Sequence, residues 1–323
     1  MTEVKEKHTR ISPSWMTRFS AMVKYELLWN IRKKKFLGII VVAFALTTLS
    51  LVVPVIMYNV MGLPIGQNPD YVIGAGTGIG GLAFFLFAVA TVMNSISGEF
   101  ESGSIVPLLT KPISRTTIFL GKLSAAFLTI LAAYTVILVY FAIGGTIIYG
   151  PQNNLHLTLL PLVGNIFSTF VWIALVLAIG SISKSSLIAA LVPFGIWLAF
   201  FLIAPIISVF SEQAWILTYM PGTGATGYIK GSTSQTPFVP GMAIATGTDA
   251  VGANLINYLL YPSAEVTFFK IRFVGAPQQS PFVELYTETL SFVLLRSILV
   301  TITYILVFLF ISWFTLKRAQ VLE

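Results

Sequence analysis

Two carboxylates and three bases share one short polar stretch of an otherwise charge-poor chain. The stretch is Gly98-Glu-Phe-Glu-Ser-Gly-Ser-Ile-Val-Pro-Leu-Leu-Thr-Lys-Pro-Ile-Ser-Arg-Thr-Thr-Ile-Phe-Leu-Gly-Lys122, with Glu99 and Glu101 at its start and Lys111, Arg115 and Lys122 behind them. Apolar segments long enough to cross a bilayer flank it. Charges held together beside lipid point to recognition by something in the adjoining water.

Other chemistry-bearing patterns lead nowhere. Gly76-Thr-Gly-Ile-Gly-Gly81 matches a dinucleotide fingerprint in letters but runs into the apolar segment Leu82-Ala-Phe-Phe-Leu-Phe87. That fingerprint needs a preceding strand and a helix N-terminus open to pyrophosphate, so close helix packing explains these glycines better. Gly145-Thr-Ile-Ile-Tyr-Gly150 has the glycine spacing of a phosphate loop but continues Pro151-Gln152, without the lysine. The expectation is no cofactor in this chain. His8 and His156 are far apart and cysteine is absent, which argues against metal, thiol and disulfide chemistry. With no acid deep in an apolar segment, a proton pump or intramembrane enzyme is disfavoured.

The elements that must hold the polar stretch are membrane helices. The chain is 56% hydrophobic and 10% charged, outside the range of soluble domains. Charge-free runs cover Phe36–Pro69, Leu123–Ser183, Ser185–Ser211 and Ser297–Leu316. They predict an all-α polytopic membrane protein with spans at Phe36–Tyr58, Ile79–Ser97, Leu123–Tyr149, Leu157–Ser183, Ser185–Phe210 and Phe292–Leu316. No cleavable signal peptide is expected, because about 35 mostly polar residues precede the first span.

Charge placement orients the spans. Nine of the 19 bases precede Phe36, which fits lipid contact better than nucleic acid. With both termini cytoplasmic, 15 bases lie inside, and only Lys230, Lys270, Arg272 and Arg296 lie outside. The chain then divides into a tail and interfacial helix (1–35), five spans with the polar loop 98–122 (36–210), an external cap (211–291) and a sixth span with a cytoplasmic end (292–323).

A rival seventh span within Met242–Tyr261 contains Asp249, Asn254 and Asn257 and would reverse the C-terminus. We read Asp249 instead as the N-cap of a helix at or near the outer surface, ending at Pro262. The partial alternation over Val266–Val274 fits a short strand. Within 12–35, Trp15, Phe19, Met22, Val23 and Leu27 share a broad apolar side, interrupted by Glu26 and Asn30, with Arg18, Lys24 and Arg32 opposite. Arg296 is expected to snorkel at the outer boundary, with a cap-pairing or substrate-facing role as the alternative. Asn94 is expected to bond between helices, and Pro193 and Pro205 to bend the fifth span.

From spacing alone, 99–109 is either a short helix that docks a partner or a solvated loop whose apolar residues dip into lipid. As a helix it would carry Glu99 and Glu101 in its first turn and Ile105, Leu108 and Leu109 on one face. The sequence from Glu99 to Arg115, followed by Ile118-Phe-Leu-Gly-Lys122, resembles the coupling-loop pattern of type-2 ABC-transporter permeases of the exporter class. Lys24-Tyr-Glu-Leu-Leu-Trp-Asn-Ile-Arg-Lys33 resembles that family's amphipathic helix before the first span.

The resemblance implies a coupling helix that docks into a separate ATP-binding subunit, with Glu99, Phe100, Glu101, Gly103, Ile105, Leu108 and Leu109 at the contact. Pro112, Ser114, Arg115 and Lys122 would shape the return into the third span. ATP and magnesium would be bound by that partner, and a second permease copy or homologue would complete the membrane part. The leading expectation is the permease subunit of an ATP-driven exporter in the cell membrane. The alternative is a non-transporting relay that acts mechanically on an external partner.

Overall fold

The computed structural model describes residues 14–32, 34–74, 81–105, 113–230, 241–271 and 282–319. Its helices are α1 (Trp15–Arg32), α2 (Lys35–Val60), α3 (Tyr71–Gly74), α4 (Gly81–Val92), α5 (Ser97–Glu101), α6 (Arg115–Tyr149), α7 (Leu159–Ser183), α8 (Ser186–Phe210), α9 (Val251–Leu260) and α10 (Leu290–Arg318). Among the described residues, four strands lie between α8 and α10: β1 (Thr226–Lys230), β2 (Gly241–Ala245), β3 (Glu265–Ile271) and β4 (Phe282–Thr289).

Among the described residues, six helical segments are long and apolar enough to cross a membrane. They are Leu37–Val60, Leu82–Glu101, Arg115–Tyr149, Leu155–Ser183, Ser186–Phe210 and Leu290–Arg318, in line with the six expected spans. The third begins eight residues early. Ser114 caps it, its Oγ accepting from the Thr117 N–H at 3.1 Å, so Lys122 stands inside the helix rather than at its entrance. α8 continues unbroken through Pro193 and Pro205. Gly76 to Gly80 of the glycine motif lie outside the described residues.

α7 is the central helix: 83% of its most apolar window is buried, against 22% for α2, α8 and α10. A helix buried all round is a core element, whereas the other three leave apolar faces to lipid or to another protein. Around α7, Phe84, Phe87, Tyr134, Ile137 and Trp172 fill the main core. Tyr134 and Thr169 share a 2.6 Å hydroxyl bond inside it, which satisfies two polar groups that apolar surroundings would otherwise penalise.

The membrane portion is helical as predicted, but the segment between α8 and α10 adds an antiparallel sheet of order β2-β1-β3-β4. An all-α description therefore fails there. Ile229, Ile244, Val266 and Phe268 turn inward onto Ala204, Leu217, Leu290 and Val293. The sheet thus closes over the C-terminal end of α8 and the N-terminal end of α10. A bulge falls between Phe268 and Phe269. The short strand expected from Val266 is part of β3, whose described residues begin one position earlier.

The chain before α9 does not stay at the surface. Ser168 Oγ donates to the Thr248 carbonyl at 2.7 Å, and Trp172 Nε1 donates to Asp249 Oδ1 at 3.0 Å. Trp172 lies about 20 Å along α7 from Leu159 at 1.5 Å per residue. Irregular backbone at such depth is tolerated only when protein surrounds it, and Thr246, Thr248 and Asn254 are fully buried. Asp249 is not an N-cap, since Ala250 precedes α9 and no side chain caps it. The carboxyl is instead buried, and desolvation pushes its pKa up to about 7 against the bonds from Trp172 and Thr248. Close approach needs glycine here: a Cβ on Gly164 would stand 2.3 Å from Gly252 Cα.

Candidate functional site

The polar stretch between the second and third spans gathers at the bundle end opposite the sheet. Short α5 opens it, and Gly103 at φ +67° interrupts the helical path, a backbone conformation that favours glycine. The expected single helix over 99–109 is thus interrupted at Ser102–Ser104, and residues 106–109 lie outside the described residues. Leu108, Leu109 and Pro112 lie outside the described residues.

Its two carboxylates reach different helices. Lys122 Nζ donates to Glu99 Oε1 at 2.6 Å and to Glu26 Oε1 at 2.7 Å. Glu26 belongs to α1 and Lys122 to α6, so three elements meet at one ammonium group. Only 3% of the Lys122 side chain and 9% of that of Glu26 are exposed. Burying such charges is tolerable only because they are paired. Glu101 is exposed and turns the other way: its Oε1 accepts from the Ser186 N–H at 2.8 Å, and its Oε2 from the Ser186 hydroxyl. A carboxylate at the N-terminus of α8 meets the positive end of that helix dipole.

Between the carboxylates, Phe100 is partly buried against the core, and Lys184 Nζ lies 5.5 Å from its ring centre. Ile105 is buried in the main core. It anchors the loop instead of joining an exposed face. Glu101, Ser102, Gly103 and Ser104 form the exposed part.

The return into α6 is tied down as well. Arg115 Nη1 donates to the carbonyls of Leu316, Lys317 and Ala319 at 3.3, 2.9 and 2.6 Å, satisfying the end of α10 with a cation where helices favour one. Trp15 Nε1 donates to Thr117 Oγ1 at 3.0 Å and Trp313 Nε1 to Thr116 Oγ1 at 3.2 Å. A Cβ on Gly121 would lie 2.6 Å from Met22 Cγ, so glycine lets α1 pack closely on α6.

Glu26 and Asn30, the polar residues within the apolar side, are with Met22 the buried residues of α1. Their four-residue spacing defines the inward face, whereas Trp15, the first residue of the expected apolar side, is 55% exposed. That spacing was the available signal, but the partner of Glu26 is 96 residues away. Asn94 makes no hydrogen bond between helices among the described residues and is packed against Gly98. At the far end, Arg296 does not snorkel freely. Its Nη1 donates to Glu288 Oε1 at 2.9 Å, while Nη2 and Oε2, also 2.9 Å apart, add attraction without hydrogen-bond alignment.

Among the described residues, no cluster of three His, Cys, Asp or Glu side chains is placed to hold a metal ion. The geometry of this site links helices α1, α5, α6 and α8. A comparison with curated proteins finds no significant match. The model for ABC-2 family transporter proteins matches residues 20–321, and the chain belongs to that family.

Proposed function

We propose that this chain is the membrane-spanning permease subunit of an ATP-driven exporter, worked by a separate ATP-binding subunit docked on the loop 98–122. The observation that carries this reading is the wiring of α5: Glu99 ties it to α6 and α1, and Glu101 ties it to α8. Family membership implies an ATP-binding partner, which would hold ATP and magnesium. Glu101 and Gly103 would meet that partner, with Leu108, Leu109 and Pro112 continuing the contact. Phe100 and Ile105 would root the block, and Ser114 and Arg115 would carry its displacement into α6 and α10.

In this reading α1 lies in the membrane interface, both termini and the 98–122 loop are cytoplasmic, and the sheet is an external cap in the cell membrane. Two permease chains would pair with two ATPase subunits, and substrate would pass between the permeases. Pulling α5 would move α6 and α1 with it because buried ion pairs resist separation, and the Glu101–Ser186 hydrogen bonds would draw on α8. Glu101→Lys and Leu108→Asp are expected to insert normally yet lose coupling between ATP hydrolysis and transport. Normal stimulated hydrolysis and transport in both variants would defeat this assignment.

The sheet also supports a second reading, in which the same docking drives a mechanical relay to an outer protein partner. A folded, cored sheet offers a firmer contact surface than a bare loop would. Tight co-purification of an external protein, with no substrate stimulation of ATPase activity, would favour the relay.

A further inference from the structure

The turn before α9 is pinned inside the bundle from several sides. Its carbonyls at Thr246 and Thr248 accept from Ser297 Oγ of α10 and Ser168 Oγ of α7, each at 2.7 Å. The N–H groups of Gly247 and Asp249 donate to the carbonyls of Thr223 and Gly222 at 2.9 and 3.0 Å. These bonds join neutral groups, so exchanging them for water as the turn moves out costs little net energy. The Asp249 carboxyl differs, because its charge state sets the cost of keeping the turn buried.

Oδ1 accepts from Trp172 Nε1 at 3.0 Å and from the Thr248 hydroxyl at 3.4 Å, whereas Oδ2 is buried with no hydrogen-bond partner. The elements packed around it supply no counter-charge. α7 and β2 carry no ionisable side chain, and α9 carries only Tyr258. α10 carries Arg296, paired with Glu288, Tyr304, whose hydroxyl donates to the Tyr219 carbonyl, and Lys317 and Arg318 at its far end. α6 presents Tyr134, whose hydroxyl is bonded to that of Thr169. A carboxylate with one bare oxygen is costly in such surroundings, so the neutral acid is the form that fits. Desolvation accordingly pushes this group up to about 7 from an ordinary 3.8.

We infer that Asp249 is a proton-binding site that seals this turn against α7: the protonated carboxyl keeps the turn seated, and loss of the proton from Oδ2 to water lets the turn open toward the sheet. The ligand is the proton itself. The opening is local to residues 246–250, and it does not rest on the coupling role of α5.

The test uses the full chain in nanodiscs. Because the chain has no cysteine, Ala250→Cys, at a position 4% exposed, places a single thiol in the seal. Its rate of reaction with a small water-soluble thiol reagent is divided by that of the exposed site in Glu265→Cys, which cancels the titration of the thiol. Ala88→Cys, fully buried in the main core, reports any general loosening.

The normalised rate at position 250 is expected to rise about tenfold from about pH 6 to about pH 8, the change in opening that a carboxyl raised to about 7 imposes. Asp249→Asn should make that rate independent of pH, and position 88 should stay unreactive. A flat profile with Asp249 present, a rise that survives Asp249→Asn, or an equal rise at position 88 overturns the inference.

Infrared spectroscopy gives a second reading with position 249 intact. Asp70 and Asp249 are the two aspartates of the chain. In Asp70→Asn carrying isotope-labelled aspartate, the labelled carbonyl stretch of a protonated carboxyl therefore belongs to Asp249. It should be present at about pH 6 and fade by about pH 8, and its absence at both overturns the inference. No ATPase takes part, so failure here leaves the coupling assignment standing.

Discussion

Lys122 and Arg296 are the buried bases among the described residues, at opposite ends of the bundle, and their surroundings differ in one respect. Arg296 meets one carboxylate, Glu288, through two nitrogen–oxygen pairs, with the rings of Phe292 and Tyr219 centred 5.4 and 5.8 Å from its guanidinium carbon. That site is charge-balanced, and it joins the sheet to the helix that follows it. Lys122 meets two carboxylates from two other elements and borders a cavity. In the proposed coupling, excess charge beside open volume suits a working joint, whereas balanced charge beneath a sheet suits a fixed one.

The largest effect should follow removal of the shared base. Lys122→Met strands Glu26 and Glu99 together and is expected to cost about 3–5 kcal/mol of stability, the range for breaking a buried pair. Thermal unfolding in detergent would record it.

A sharper contrast comes from neutralising one acid at each end. Glu288→Gln leaves Arg296 buried without its counter-charge and should cost about 3 kcal/mol. Glu99→Gln leaves Lys122 with Glu26 and relieves the excess charge, so its cost should stay below about 1 kcal/mol. Equal losses in the two variants would erase the distinction between joint and anchor.

Burial in the middle of the bundle, between these two ends, can be read by pH. Burial pushes the Asp249 carboxyl up to about 7 from an ordinary value of 3.8. Between those values the folded state holds more protons than the unfolded one, so this group makes stability fall as pH rises and level off above the folded value. Melting temperatures measured from about pH 5 to about pH 8 should show that slope, and Asp249→Asn should remove it. A slope that survives the substitution would place the responsible group elsewhere.

Much of this architecture could be read from residue order, because lipid imposes a simple rule. Long uncharged runs must become helices, and all six were located within a few residues except at the start of the third, where Ser114 caps a helix that carries Arg115 and Lys122 inside it. Elements whose burial depends on distant partners left weaker traces. β1 and β2 are five residues each and rich in glycine, alanine and threonine, so neither shows clean alternation. Their positions are fixed by packing on α8 and α10. The acids of α5 stood out by composition, but Glu26 looked like a flaw in an amphipathic pattern until the fold brought Lys122 to it. Asp249 looked like a surface cap because nothing near it in sequence signals Trp172.

In the proposed complex the α5 end of the bundle faces the cytoplasm and touches an ATPase. As the chain contains no cysteine, Ser104→Cys, on the exposed part of the loop, gives a single reactive site, and Glu265→Cys marks the sheet. In cells expressing the full complex, a membrane-impermeant maleimide is expected to label position 265 from outside and spare 104, while a bifunctional reagent in open membranes links 104 to the ATP-binding subunit. Labelling of 104 from outside, with no link to an ATPase, would contradict it.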